Sequence, residues 1–183
     1  MSQLFRLRCP SCEREFARDA VTLCPDCFFP TEITYDYQAI GERLSQDAVG
    51  RRARDIWRYG ELLPVPDSAP RLAGVGWTPL IEAPRLGRQL GSGALLIKDD
   101  AACFPTLSFK DRVVAVALSA ARELGYQVVG CASTGNLANA VAAHAARAGL
   151  EAWILVPDDL EPAKLLGTAV YGANLVRVMA AYD

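Results

Sequence analysis

Two cysteine pairs near the start of the chain have the spacing of a metal site. Four of the six cysteines form the pairs Cys9-x-x-Cys12 and Cys24-x-x-Cys27. Two intervening residues let both sulfurs of a pair face one ion, and two such pairs supply the four thiolates that tetrahedral zinc prefers. Because residues 1–35 are too few to bury a core alone, bound zinc would supply the folding energy of this segment.

Other interpretations of the four cysteines stay open at this point. They could form disulfides, but the first 20 residues lack the apolar core of a signal peptide, which favours a reducing compartment. A redox Cys-x-x-Cys motif should open a helix after a strand, and the polar flanks with proline inside both pairs do not favour that. The cysteines could also bind nothing. The doubled motif favours structural zinc.

A lysine at a predicted helix start is a second candidate for chemistry. Only three of the 19 basic residues are lysines, namely Lys98, Lys110 and Lys164. Within residues 105–112 (Pro-Thr-Leu-Ser-Phe-Lys-Asp-Arg), Ser108 and Asp111 have the spacing of a capping box. Lys110 then lies in the first helical turn, where the helix dipole disfavours a cation and favours the neutral, nucleophilic amine. A catalytic lysine and a simple capped helix both stay open.

A second helix start carries groups that could bind an anion. Residues 131–136 (Cys-Ala-Ser-Thr-Gly-Asn) read as a strand end, a turn of small residues and a helix start. Ser133, Thr134 and the backbone N–H groups of this turn offer hydrogen bonds to an anion, and Asn136 offers an amide. The alternative is simple N-capping of the helix by Ser133 or Thr134.

The second half of the chain alternates between helical and extended patterns. The pattern predicts helices over 113–124, 136–148 and 161–171, and strands over 127–132, 151–156 and 174–179. A glycine follows each predicted helix, where a left-handed residue costs least. Near-continuous apolar strands between helices predict a parallel, doubly wound sheet with both faces covered. Ligands of such sheets bind beyond the carboxyl ends of the strands, so we expect both helix starts at one edge.

The first half reads as two smaller parts. Residues 1–35 form the cysteine segment, and residues 36–70 form a helical linker with one continuous helix over 36–63. Trp57 and Tyr59 of that helix are expected to pack against the following domain. Prolines at 64, 66 and 70 then break the chain, two short strands follow at 77–81 and 94–97, and the α/β domain covers 71–183.

Composition and net charge limit the classes of binding partner. Apolar residues make up 51% and charged residues 22%, which is typical of a soluble globular protein. A net charge of -2, with Arg6, Arg8 and Arg14 interleaved with Glu13 and Glu15, argues against a nucleic-acid or anionic-membrane partner. Because the first 20 residues lack the apolar core of a signal peptide, the sequence predicts a cytoplasmic protein. The one histidine, His144, is expected to be a packed or surface residue.

Four motifs, in this order, resemble the fold-type II pyridoxal-phosphate-dependent enzymes. They are Trp77-Thr-Pro-Leu80, Lys98-Asp-Asp100, Pro105-Thr-Leu-Ser-Phe-Lys-Asp-Arg112 and Ala132-Ser-Thr-Gly-Asn136. Trp57-Arg-Tyr59 followed by Leu62-Leu-Pro64, behind a zinc-ribbon-like segment, is most similar to the threonine synthase family. The resemblance runs from about residue 50 to the end, and Ser-Phe-Lys-Asp-Arg is its most specific part.

The resemblance implies a role for each site residue. It implies that Lys110 holds pyridoxal 5'-phosphate as a Schiff base and moves protons, that Phe109 lies beside the cofactor ring, and that Asn136 bonds the cofactor's phenolic oxygen. Ser133, Thr134 and Gly135 would receive the substrate carboxylate. The implied reaction converts O-phospho-L-homoserine and water to L-threonine and phosphate, with the cofactor as electron sink.

The chain departs from the family in two ways. Phe104-Pro-Thr-Leu107 replaces the usual Asn-Pro-Thr-Gly, and Leu107 at a glycine position predicts a turn without positive φ. Family chains are also about twice this length. A second domain should carry a glycine-rich loop for the cofactor phosphate and a Ser or Thr near the pyridine nitrogen, and neither is visible. We therefore expect an N-terminal portion, weakly active or inactive alone, whose exposed sheet face could drive self-association into a homodimer.

Two other functions stay open. A related enzyme such as cysteate synthase or a serine/threonine dehydratase would use the same lysine on another substrate. A non-catalytic zinc-ribbon adaptor would use neither the lysine nor the turn at 133–136, and this alternative gains if the reading frame ends at residue 183.

Overall fold

The computed structural model describes residues 4–17 and 22–179, so parts of the predicted segments 1–35 and 71–183 lie outside the described residues. The described strands are β1 (Phe5–Arg8), β2 (Glu15–Phe16), β3 (Glu32–Tyr35), β4 (Leu80–Glu82), β5 (Leu96–Lys98), β6 (Val128–Ala132), β7 (Glu151–Pro157) and β8 (Asn174–Val178). The described α-helices are α1 (Tyr37–Arg43), α2 (Gln46–Arg51), α3 (Pro84–Gln89), α4 (Lys110–Glu123), α5 (Asn136–Ala148) and α6 (Pro162–Ala169). Short 3-10 helices cover Ile56–Leu62 and Asp100–Ala102.

The first strands form a small antiparallel sheet in the order β2-β1-β3. Phe5 pairs with Tyr35 and Leu7 with Ile33 across β1 and β3. The surface charges of this segment are matched: Arg6 bonds Glu15 at 2.6 Å, Arg8 bonds Glu13 at 2.7 Å and Arg14 bonds Asp26 at 2.5 Å. These arginines therefore belong to a mixed-charge surface, as the sequence pattern indicated.

The predicted continuous helix over 36–63 is wrong, because three short helices occupy this stretch. Each has its own N-cap side chain: Asp36 accepts from the N–H of residue 39, Ser45 from that of residue 48 and Asp55 from that of residue 57. A capping side chain bonds the backbone N–H of a new first turn, so each cap starts a separate helix. Trp57 is buried as predicted, whereas Tyr59 is 43% exposed and does not pack as expected.

The second half of the chain contains a parallel sheet in the order β6-β7-β8. α5 connects the first two strands and α6 the last two. The two helices touch each other, because Thr168 Oγ1 donates to Asn139 Oδ1 at 2.7 Å. Both therefore cover the same face of the sheet. The mixed α/β fold with a parallel sheet is confirmed, but the described residues wind around one face and not two.

Side chains of β7 show which face is covered. Ala152, Ile154 and Val156 are buried beneath α5, whereas Trp153 and Leu155 are 41% and 39% exposed. The main core thus lies between the sheet and the helices α4 and α5, and it draws its members from residues 56–175. In the part of the chain that is described, no helix has the length and apolar character needed to cross a bilayer.

The predicted boundaries hold best around the parallel sheet. α5 starts and ends at the predicted residues, and Gly149 follows it with a left-handed φ of 69°. α4 begins at Lys110, three residues before the predicted start, and α6 covers 162–169 and not 161–171. α3 was not predicted, and it begins with Pro84 in the first turn, where proline lacks only an N–H that has no partner within the helix.

α4 has two apolar faces. One face packs into the main core through Val114, Ala115 and Leu118. The opposite face borders a groove of about 630 Å³ that separates α4 from the N-terminal sheet, lined among others by Phe5, Leu7, Ile33, Val113, Val116 and Ala120. The N-terminal sheet therefore lies beside α4 without entering the main core.

Candidate active site

Lys110 is the first residue of α4. The preceding Phe109 occupies the N-cap position without a capping side chain, and the Lys110 N–H donates to Ser108 Oγ at 3.3 Å. The lysine Nζ lies 4.8 Å from the centroid of the Phe109 ring, which is 53% exposed. Lys110 is therefore a half-buried residue at the positive end of the helix dipole, with an aromatic ring beside its amine.

Asp111 does not complete the predicted capping box. Its carboxylate is fully buried and accepts bonds from Thr106 N–H at 3.0 Å and from Thr106 Oγ1 at 2.9 Å. His144 Nε2 lies 3.1 Å from the same carboxylate. Because these partners lie in the preceding turn and in α5, Asp111 fixes the start of α4 to both. His144 is a packed residue, as expected, but its partner was not predicted.

Leu107 adopts a φ of 59°, so the expectation of a turn without positive φ is wrong. The turn keeps a left-handed residue at this position although the side chain is not glycine. A left-handed conformation costs an L-residue about 1–2 kcal/mol, and the bonds that hold Thr106 and Asp111 together offset this cost.

Arg112 connects α4 to a second group of motif residues. Its guanidinium bonds both Asp100 oxygens, at 2.6 and 2.7 Å, and Thr78 Oγ1 at 3.0 Å. Thr78 Oγ1 also donates to Asp100 at 2.8 Å, and Lys98 Nζ donates to the Thr78 hydroxyl and carbonyl oxygens. The hydrogen bonds from Arg112 and then Thr78 lower the pKa of Asp100 to about 2.

This cluster of Thr78, Lys98, Asp100 and Arg112 joins three of the sequence motifs. In the sequence these residues stand out only through the family resemblance, and their mutual contacts were not predicted. The available signal was the pair of opposite charges, Lys98 and Asp100, directly after the predicted strand 94–97. Charge alone, however, does not indicate which carboxylate an arginine will contact. The cluster holds the strand pair β4–β5 against the first turn of α4, so it positions Lys110 without touching its amine.

The turn between β6 and α5 contains the second group of predicted site residues. Ser133 is buried, its N–H donates to the Leu155 carbonyl at 3.3 Å, and its Oγ accepts from the Gly135 N–H at 3.4 Å. Gly135 is the N-cap residue, so neither Ser133 nor Thr134 caps the helix. Asn136 is the first helical residue and is exposed.

The start of α5 is suited to an anion. No side chain caps this helix, and a Cβ at Gly135 would meet no atom within 4 Å. The first N–H groups of a helix lack partners within the helix, and the dipole adds positive charge there. An incoming carboxylate could therefore bond these N–H groups and the Thr134 hydroxyl.

The two helix starts are offset along α5. His144, which contacts Asp111, lies eight residues after Asn136, or about 12 Å along the helix axis. The start of α4 thus lies beside the later turns of α5. A ligand that contacts both Lys110 and Asn136 has to bridge this offset together with the two side chains.

The four paired cysteines form a separate cluster. Their sulfur atoms all lie within 4.8 Å of one another, with 3.3 Å between Cys9 and Cys27 and 3.6 Å between Cys12 and Cys24. A regular tetrahedron with Zn–S bonds of about 2.3 Å has sulfurs about 3.8 Å apart. The sulfur positions therefore fit one zinc ion.

The two cysteine turns have the same backbone geometry. Cys9 N–H donates to the carbonyl of residue 14, and the N–H of Glu13 returns to the Cys9 carbonyl, both at 2.9 Å. Cys24 repeats both bonds with residues 29 and 28, at 2.8 and 2.9 Å. Glu13 and Phe28 occupy equivalent positions with φ of 62° and 58°. Because the two turns have the same backbone geometry, their cysteine sulfurs converge on one point.

The electrostatics of Cys9 favour a thiolate. Burial raises the pKa of this thiol, but the N–H of Cys12, the Cys27 thiol and the N–H of Ser11 outweigh burial and lower the pKa to about 7. At each of the next two thiols a backbone N–H lowers the pKa, but the hydrogen bond to Cys9 together with burial outweighs it, and they raise the pKa of Cys12 to about 12 and also raise that of Cys27. A metal ligand has to lose its proton, so Cys9 is predisposed to bind metal and a bound ion would have to displace the protons of Cys12 and Cys27.

Comparison with known proteins identifies the class to which this fold and site belong. The family model of pyridoxal-phosphate dependent enzymes matches residues 72–183, which include both helix starts, and the chain belongs to this family. Curated relatives narrow the similarity to threonine synthases. That of Methanocaldococcus jannaschii is 37% identical over 178 residues, and that of Methanosarcina acetivorans is 32% identical over 182 residues. These alignments cover 96% and 98% of this chain.

The alignments cover less of the relatives. The chain spans 44% of the length of both archaeal threonine synthases. A third threonine synthase, from Synechocystis, is 40% identical over 130 residues, which is 70% of this chain and 34% of that protein. The shared part therefore corresponds to a little less than half of each archaeal relative.

Solved structures agree with the family at the level of the fold. Threonine deaminase isoform 2 from Solanum lycopersicum has a TM-score of 0.56 and 27% identity, over 63% of this chain and 32% of that one. Maize serine racemase has a TM-score of 0.54 and 26% identity, over 59% of this chain and 32% of that one. The fold is that of the fold-type II pyridoxal-phosphate enzymes.

Proposed function

We propose that this chain carries the lysine-bearing part of a threonine synthase, which converts O-phospho-L-homoserine and water to L-threonine and phosphate. The observation that supports this most is the first turn of α4. Lys110 heads the helix beside an aromatic ring, and the next two residues are anchored by Thr106, His144 and Asp100. Such anchoring suits an amine that has to form and release a bond at a fixed place.

The residues present fit pyridoxal phosphate. A lysine amine at the positive end of a helix can react with the aldehyde, and the exposed Phe109 offers a surface to an aromatic ring. Asn136 would donate its side-chain amide to the phenolic oxygen. When bound, the cofactor supplies an electron sink for negative charge at the substrate α-carbon.

The chain's own residues would bind the substrate and transfer protons. The uncapped N–H groups of α5, with Ser133, Thr134 and Gly135, would hold the substrate carboxylate. Lys110 would take the proton from the α-carbon and return protons at later steps. Holding the carboxylate fixes the substrate, so that the α-proton faces the amine during the transfer.

The lysine assignment is tested by trapping. The protein is incubated with pyridoxal phosphate, reduced with borohydride and mapped by mass spectrometry. We expect the label on Lys110, its loss in Lys110→Arg and its retention in the matched control Lys164→Arg, because Lys164 is an exposed residue whose amine lies 3.7 Å from Glu161. A label that prefers Lys98 or Lys164 would contradict the assignment.

The substrate is tested separately. Phosphate release from O-phospho-L-homoserine with equal formation of threonine supports the threonine synthase proposal. Ammonia release from serine or threonine would instead support a dehydratase, an alternative favoured by the similarity to a threonine deaminase structure. The Lys110→Arg variant should lose whichever activity is found, since both reactions need the same amine.

The four-cysteine cluster is proposed to bind structural zinc in a ribbon-like segment. The convergence of the four sulfurs within 4.8 Å of one another and the two matching turns support this proposal. We expect one zinc per chain by elemental analysis, and a thiolate charge-transfer band after substitution with cobalt. Cys12→Ser should lower the metal content, whereas Cys131→Ser, outside the cluster, should not. Equal metal content in the two variants would contradict the assignment.

A further inference from the structure

Asp111 and His144 form a hydrogen-bonded pair in the interior, and both side chains have no solvent exposure. Asp111 directly follows Lys110 in the first turn of α4, whereas His144 belongs to a later turn of α5. The inference drawn from this pair rests on the proposed function of Lys110, because it concerns how that lysine is held.

The two partners of His144 define its tautomer. Arg147 Nη1 lies 3.3 Å from His144 Nδ1, and a guanidinium can only donate. Nδ1 therefore accepts, and the ring hydrogen is on Nε2, which donates to Asp111 over 3.1 Å. Burial lowers the pKa of His144, and the charge of Arg147 acts in the same direction against Asp111. The guanidinium donor at Nδ1 and the lowered pKa both favour the neutral ring.

The pair belongs to a continuous chain of contacts. Arg147 also donates to the Ala73 carbonyl at 2.7 Å and lies 5.0 Å from the Phe104 ring. Asp111 in turn holds Thr106. The histidine therefore connects the segment before β4, the turn before α4 and the first turn of α4 itself. Both charged groups that face the ring, Asp111 on α4 and Arg147 on α5, are engaged in these contacts.

We propose that His144, as the neutral tautomer with hydrogen on Nε2, is a positioning residue for Lys110. The imidazole donates to Asp111 and accepts from Arg147 at once, so it sets the position of the first turn of α4 relative to α5. The amine of Lys110 extends from that turn. Loss of the histidine frees Asp111 from α5, and the amine then samples positions from which it cannot reach the aldehyde.

Two substitutions separate this role from simple packing. His144→Gln keeps one donor for Asp111 and one acceptor for Arg147, whereas His144→Phe keeps the bulk but neither hydrogen bond. The readout is the ratio of borohydride-trapped label on Lys110 to that on Lys164, measured across pH with pyridoxal phosphate as probe. We expect His144→Phe to lower this ratio about tenfold and to change its pH profile, and His144→Gln to restore both.

Controls distinguish the possible failures. Val141→Ala removes packing from the same buried helix and should lower the melting temperature without changing the labelling ratio. Equal ratios in wild type, His144→Phe and His144→Gln would overturn the positioning role, as would an equal loss in Val141→Ala. If wild type itself shows no preference for Lys110, the proposed function fails instead. Should His144→Phe not fold, Arg147→Met removes the partner of Nδ1 and should lower the ratio, and an unchanged ratio would overturn the role.

Discussion

Asp111 and Arg112 show how neighbouring residues of one turn take on different tasks. Asp111 is buried against His144 and Thr106, and Arg112 pairs with Asp100 and Thr78. Lys110 itself makes no comparable bond through its amine among the described contacts, apart from the ring of Phe109. Its reactivity would thus depend on anchors that belong to other residues.

Acid should weaken the anchor formed by Asp100. Its pKa is about 2 in the folded protein against an ordinary value of 3.8, so the ionised carboxylate stabilises the fold above pH 4. This contribution is lost as pH falls from about 4 to about 2. In urea unfolding at pH 7, wild type should be more stable than Asp100→Asn. This difference in unfolding free energy should shrink as the pH falls from about 4 to about 2. Because the side chain is 35% exposed, solvent screens part of the effect.

The comparison with Asp100→Asn cancels the titration of the other carboxylates, which both proteins share. A difference in unfolding free energy that stays constant from pH 7 to pH 2 would contradict the predicted role of the charge.

Leu107→Gly should stabilise the protein. The left-handed φ of Leu107 costs about 1–2 kcal/mol, and glycine removes this cost while adding about 0.5–1 kcal/mol of backbone entropy. The leucine side chain is 67% exposed, so little burial is lost. We expect a net gain of about 0.5–1 kcal/mol by urea unfolding. Leu107→Ala is the control, since it keeps the strain and should bring no gain.

Elements with local signals were predictable from the sequence, and contacts between elements were not. The run of alanines indicates helix α5, and Gly149 marks its end. The structure places both as predicted. The bond between Asp111 and His144 joins residues 33 positions apart, and no local pattern gives that distance. The capping-box spacing even indicated a different partner for Asp111, because Ser108 lies at the right separation in sequence but Thr106 is nearer in space.

The two faces of β7 should respond differently to truncation. Ile154 is fully buried under α5, and Ile154→Ala should cost about 2–5 kcal/mol of unfolding free energy. Leu155 points to the other face and is 39% exposed, so Leu155→Ala should cost less than about 1 kcal/mol. Urea unfolding of the two variants checks the order. Equal losses would mean that both faces of the sheet are covered.

At the scale of the molecule, the N-terminal sheet and the main core are distinct. Among the described residues, the main core includes none before position 56, and a groove of about 630 Å³ separates the N-terminal sheet from α4. Segments of this size rarely hold their structure without a disulfide or a bound metal ion. The cysteine cluster would therefore have to stabilise this segment by binding metal.

Removal of metal should therefore unfold one region and spare the other. A strong chelator should abolish amide-exchange protection in β1 and β3 while leaving α5 and β7 protected. Hydrogen–deuterium exchange with mass spectrometry gives both regions in one experiment, with Cys12→Ser as a genetic equivalent of chelation. Loss of protection throughout the protein would show that the two regions fold as one unit.

Successive residues of a helix point about 100° apart, so the turn 110–112 faces three neighbourhoods at once. The amine of Lys110 points in one direction, and Asp111 meets the imidazole of His144 in the next. Arg112 meets Asp100 and Thr78, which flank the strand pair β4–β5, in the third. Saturation of these three codons should consequently sort variants into three phenotypes. Substitutions at position 110 would abolish chemistry in a well-folded protein, those at position 111 would damage folding and chemistry together, and those at position 112 would first loosen the strand pair β4–β5.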